Sequence, residues 1–339
     1  MKKLLFFFVL VFHLCFSSVA ISTEKEVNVY SYRQPFLIEP IFNEFTEDTG
    51  IKVNIKFAKK GLVETLQREG KYSPADVILT VDISRLMELK NKGVVQRVKN
   101  KVIDSNIPSQ YKDGEKEWFA LTLRARSVYS SRDRIGKLDK NFSYSDLTKP
   151  KFKGKICTRS GKHPYNLSLV ASMIAHKGEK QTREWLEGLK VNLARKPQGG
   201  DRSQVKAIKE GLCDLSIGNS YYLGKMLNDD NQRAWAESVY INFPRINAKG
   251  THVNVSGMAM AKYAPNKANA MKLMEFLSDD KAQKMYAELN HEYPVKKGIK
   301  RSPLVESWGR LKADNIPLDE IASHHSTAIK LLDSVKFDL

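Results

Sequence analysis

Cysteine is scarce: the 339 residues hold three. A small secreted fold held together by cross-links needs many more. Cys15 falls in an apolar leader, which leaves Cys157 and Cys213 in the mature chain. Their spacing offers no zinc site. Both stand in apolar contexts, Gly154-Lys155-Ile156-Cys157 and Leu212-Cys213-Asp214-Leu215. Two free, buried thiols on strands are therefore expected, in preference to a disulfide. Acidic residues are also short, with 38 Asp and Glu against 56 Lys and Arg and a formal net charge of +18. The lysines spread along predicted helices and form no single basic stripe interleaved with aromatics, so nucleic acid is not an expected partner. The positive field suits an anionic ligand or an acidic docking partner. Beyond the leader there is no apolar run long enough to span a bilayer, no internal repeat and no low-complexity tract. Catalytic signatures are missing too: there is no Gly-x-Ser-x-Gly elbow, no His-Glu-x-x-His and no paired carboxylates. Ser160 precedes Gly161, but no base accompanies it. The chain reads as a binding protein and not as an enzyme.

The N-terminus carries an export signal. Met1-Lys2-Lys3 is positive, Leu4 to Phe16 is nearly continuous apolar sequence, and Ser18-Val19-Ala20 supplies small residues for cleavage. This is a secretory signal peptide over 1–23, cut near 20–23, and too short for a comfortable membrane span. Leu14 precedes Cys15 where a lipoprotein signal wants Gly or Ala, which argues against a lipid anchor. The mature protein is expected in the periplasm.

Hydrophobic periodicity then alternates between two and 3.6 residues. Glu26-Val27-Asn28-Val29-Tyr30-Ser31 reads as a strand, 36–49 as a helix stopped by Gly50, and 51–57 as a second strand. A short helix over 61–69, a buried strand over 74–80 and a helix over 83–90 follow. This order predicts a parallel sheet with helices on both faces. Trp118 to Ser130 is too long for an ordinary strand and is expected to cross between domains. A second α/β unit begins near Phe142, with strands at 154–158 and 213–218 and helices at 166–175, 180–189 and 203–210. Val255 to Ala261 returns as a strand, and Ser278 is the expected N-cap of a later helix. The fold class is α/β: two lobes, each a mixed sheet flanked by helices, joined by a hinge of crossing strands. The expected division is 24–124 with 250–299 for the N-terminal lobe, and 125–249 with 300–339 for the C-terminal lobe. Ligands in such folds bind at strand ends and helix N-termini.

Four post-strand stretches deserve chemistry: Tyr30 to Phe36, Leu123-Arg124-Ala125-Arg126, Arg159 to Asn166, and Asn219-Ser220-Tyr221-Tyr222. On a regular strand two adjacent tyrosines point to opposite faces. Tyr221 and Tyr222 can share a ligand only from a turn or a helix start. A phenol is neutral in water at pH 7, with a pKa of about 10, but a strong cation stabilises phenolate directly. Ferric ion is small and trivalent and favours oxygen anions. Three phenolates neutralise it and leave coordination positions open. A small dianion such as carbonate can fill two, and arginines such as Arg33 and Arg124 offset its charge.

The chain resembles the periplasmic ferric-ion-binding proteins of iron ABC importers, in the transferrin-like group of substrate-binding proteins. The resemblance covers the mature chain. It is carried by Val29 to Phe36, Pro74-Ala75-Asp76-Val77, Cys157 to Asn166, Ala194 to Gly200, Gly218 to Tyr222 and Ala264-Pro265-Asn266-Lys267. It implies ferric ion held by Tyr165, Tyr221 and Tyr222. Many members add a His or Tyr ligand after the first strand, but here that loop reads Arg33-Gln34-Pro35-Phe36. This resembles the subgroup whose protein ligands all come from one lobe. There a carbonate or bicarbonate completes the sphere, held by Arg33, Gln34 and Arg124. It also implies a monomer that delivers Fe(III) to an inner-membrane ABC permease. Another small ligand (an oxyanion, a polyamine or a thiamine-like cation) is the alternative. His163 is expected beside the site and not on the metal, His324-His325 on the surface, and Asp76 and Asp82 satisfying backbone groups or capping helices.

Overall fold

The computed structural model describes residues 25–246 and 248–339; the leader, with Cys15, lies outside them. Among the described residues no helix is long and apolar enough to cross a membrane. Ten strands are described: β1 Glu26–Ser31, β2 Lys52–Phe57, β3 Val77–Thr80, β4 Val95–Gln96, β5 Phe119–Ser131, β6 Ile156–Cys157, β7 Leu215–Asn219, β8 Val239–Asn242, β9 Val253–Ala261 and β10 Tyr293–Pro294. The main path runs β2-β1-β3-β9-β5-β7-β6. β1 pairs in parallel with β2 and β3, as the alternation of strand and helix requires. β9 then joins antiparallel between β3 and β5.

β5 is buried along all 13 residues and serves two sheets. Phe119 to Ala125 pair with β9, whereas Arg126 to Ser130 pair with β7. The long run expected to cross between domains serves both sheets, changing partners between Ala125 and Arg126. Arg124 and Arg126 therefore share one face of a single strand, but lie on either side of the change.

Local chemistry sets the element ends. The helix Glu39–Thr49 buries Ile41, Phe42 and Phe45 and stops at Gly50, whose φ of 67° suits glycine. Asp82 accepts the Arg85 N–H and caps the helix Ile83–Asn91. Asp76 accepts the N–H groups of Asn28 and Asn266 at 2.8 and 2.7 Å, which ties β1 to the segment after β9. The helices expected at 166–175 and 180–189 form one run, Pro164–Val191, broken at Gly178 (φ 78°). One cap differs from expectation. Asp279, not Ser278, caps the helix Asp280–Asn290. Ser278 ends the preceding helix and donates back to Glu275 O at 2.8 Å. A carboxylate next to the break outcompetes the hydroxyl.

The expected free thiols are a disulfide. Cys157 and Cys213 are bonded, with Cα atoms 5.9 Å apart. β6 and β7 are parallel neighbours with Cys157 opposite Ser216, and Cys213 lies in the turn entering β7. Strand pairing thus brings together residues 56 positions apart. Closing so long a loop restricts the unfolded chain, which stabilises the fold by about 2–4 kcal/mol. Urea unfolding of Cys157→Ala/Cys213→Ala is expected to show that loss; an unchanged midpoint would remove the disulfide from the stability account.

Candidate functional site

β7 ends at Asn219, and after the single residue Ser220 the helix Tyr221–Leu227 begins. The tyrosines occupy its first two positions, so both rings turn the same way; their centroids lie 4.1 Å apart at 31°. Tyr165 takes the second position of the helix Pro164–Val191, after a proline suited to the first turn. The Tyr165 N–H donates to Nδ1 of His163 at 3.2 Å, and the His163 ring meets the Tyr165 ring edge-on at 4.6 Å.

These helix starts face a cavity of about 310 Å³. Tyr165, Tyr221, Tyr222, Arg33, Gln34 and Arg124 all line it. Larger hollows exist: one of about 520 Å³ lies between Lys137, Arg245 and Lys312, and one of about 670 Å³ between Arg134, Asn141 and Lys155. Neither contains any of the three tyrosines, so size does not locate the chemistry.

Burial, then the neighbouring Tyr165 and Tyr222, hold the Tyr221 phenol well above its ordinary range. Tyr222 is raised by burial, then by Tyr165 and Asp201. Burial, aided by Arg159, pushes His163 down to about 3, so its imidazole is neutral. Arg124, Arg126 and Arg159 place guanidinium carbons 5.6, 5.9 and 5.3 Å from the centre of the Tyr165 ring.

Several residues here carried no sequence signal. Glu292 also lines the cavity and accepts from Arg33 at 2.9 and 3.3 Å. Thr122 Oγ1 donates to the same carboxylate at 3.0 Å, and Arg124 Nε lies 4.0 Å from it. Arg124 also donates to the carbonyls of Val255 (2.7 Å) and Val81. Lys59, Arg85 and Arg159 add positive charge to the lining. Arg85 stacks on Tyr32, 3.7 Å from the ring centre. The helix Tyr221–Leu227 reaches the first sheet's side through Lys225, whose Nζ donates to Leu289 O at 2.8 Å. Asn228 meets His291 Nε2 at 3.1 Å, one residue before Glu292. His325 is half-buried, not a free surface residue.

Two sheets sharing β5, with post-strand loops and helix starts converging on a charged cleft, define a two-lobed solute-binding protein. Residues 73–310 match the family described as bacterial extracellular solute-binding protein, and the chain belongs to that family. Several of its relatives are named as iron-uptake or ferric ion-binding proteins. It is 60% identical to the apo ferric ion-binding protein A of Pasteurella haemolytica, with a TM-score of 0.90 across 93% of this chain and 99% of that one. It is 38% identical to iron uptake protein A1 of Synechocystis, across 91% of this chain and 87% of the relative. A Trichodesmium protein solved with iron and citrate is 36% identical, covering 92% of this chain and 99% of that one at a TM-score of 0.86.

Proposed function

We propose that this protein captures ferric ion in the interlobe cleft through the phenolates of Tyr165, Tyr221 and Tyr222. A carbonate-like anion held by Arg33, Gln34 and Arg124 completes the coordination. The lobes, 24–124 with 250–299 and 125–249 with 300–339, close over the ion. The loaded monomer then delivers it from the periplasm to an inner-membrane ABC permease. One observation carries the reading: two separate helix starts aim three tyrosines into one arginine-lined cavity. A hard trivalent ion is the cargo whose charge three phenolates balance. The iron relatives support the same cargo, and the citrate-bound relative makes the anion's identity a question for experiment.

The test is a visible titration. Ferric ion is added with a weak chelator to the mature protein, in parallel with bicarbonate, with citrate and with neither. A phenolate-to-iron charge-transfer band is expected, strongest with an anion present. A colourless protein that takes up no metal refutes the reading.

Acid should release the ion. Tyr221 and Tyr222 have phenols raised by burial, so both are protonated in the empty protein at pH 7. Iron must displace those protons, and affinity falls as pH falls, by about tenfold per unit for each phenol that ionises. Competition against a chelator at pH 8 and pH 6, corrected for the chelator's own protonation, checks this; a pH-independent affinity contradicts phenolate ligation.

A further inference from the structure

The geometry points to a positioning role for Arg126, with Asp201, in setting the spacing of the three tyrosines. Neither residue lines the cavity, and the inference rests on the ferric reading above. Arg126 is buried, and its guanidinium is divided between the two tyrosine-bearing segments. Nε and Nη2 donate to Asn166 Oδ1 at 3.2 and 2.6 Å. Nη1 donates to Asn219 Oδ1 at 2.9 Å and to Asp201 at 2.6 Å. Asn166 follows Tyr165 directly, and Asn219 lies two residues before Tyr221.

Asp201 closes the frame. The carboxylate oxygen that takes Arg126 also accepts the Asn219 N–H at 2.8 Å. Its other oxygen accepts from Arg159 at 3.2 Å. Asn166 in turn donates Nδ2 to Thr158 Oγ1 at 3.0 Å and to Arg159 O at 2.9 Å, which fixes the loop before Tyr165. One planar, five-donor group therefore spans the gap between the two helix starts. A lysine in its place keeps the charge but cannot reach both asparagines in fixed directions.

A buried ion pair is a poor way to gain stability alone, because desolvation offsets most of the attraction. This one has Arg126 and Asp201 side chains 2% and 0% exposed. Its hydrogen bonds converge on residues that flank the tyrosines. Partners behind a metal's ligands orient them, and losing one typically costs about 10–100-fold in metal affinity.

The experiment compares Arg126→Lys and Asn166→Ala with the parent. Asn166→Ala leaves the Arg126–Asp201 pair intact, so it keeps the test alive if Arg126→Lys does not fold. Three readouts are needed: folding by circular dichroism, iron affinity by chelator competition, and the wavelength of the charge-transfer band. The expected result is a folded iron-free variant that binds iron about 10–100-fold more weakly, with a shifted band. A purely structural role lowers the melting temperature while folded molecules keep the parent's affinity and band, and that outcome overturns the inference. If the parent shows no band at all, the ferric reading itself fails, and the inference falls with it.

Discussion

Tyr222→Phe and, separately, Tyr221→Phe are expected to abolish the coloured ferric complex while leaving a folded protein. Each substitution removes one oxygen and keeps the ring, so the 4.1 Å pairing of the two aromatic faces survives. Losing one hydroxyl from a ring that stays in place changes stability by no more than about 0.5–1.5 kcal/mol. The loss on iron is of another order. Replacing a partner behind a ligand costs about 10–100-fold, and removing the ligand also removes a negative charge from a trivalent ion. Affinity should therefore drop by more than that range, and the band should vanish. Tyr165→Phe tests the same point from the other helix. The measurement pairs chelator competition with urea unfolding of the iron-free protein. Parent-like iron affinity in a folded Phe variant would exclude that tyrosine from the site.

Much of this arrangement was legible because periodicity constrains direction. Adjacent tyrosines cannot face one ligand from a strand, so Tyr221-Tyr222 had to sit on a turn or at a helix start, and they open a helix. The run from Trp118 exceeded a normal strand, and β5 spans two sheets. What stayed hidden depends on pairing between distant segments. Glu292 lies 259 residues from Arg33, and no local pattern ties them. The Cys157–Cys213 bond follows from the adjacency of β6 and β7, which neither apolar context reveals. Arg126 shares the face of Arg124, a clue present in the alternation, but its partner Asp201 opens a helix whose placement required the whole second sheet.

Glu292→Gln should move stability and anion binding in opposite directions. Arg33 and Glu292 side chains are each 1% exposed and joined by two hydrogen bonds of 2.9 and 3.3 Å. Arg124 approaches the same carboxylate at 4.0 Å. With Glu292 ionised, these three groups sum to one positive charge; with glutamine they sum to two, both out of bulk water. Breaking a buried pair from one side costs about 3–5 kcal/mol, because the remaining charge is left uncompensated. The anion-free variant should therefore unfold at markedly lower urea than the parent. The freed guanidinium forks suit a planar oxyanion, so bicarbonate or citrate should restore more stability to the variant than to the parent. Anion-dependent unfolding of both proteins, measured without iron, decides the matter. If anions stabilise the two equally, Arg33 and Arg124 do not form the anion seat, and their charge serves Glu292 alone.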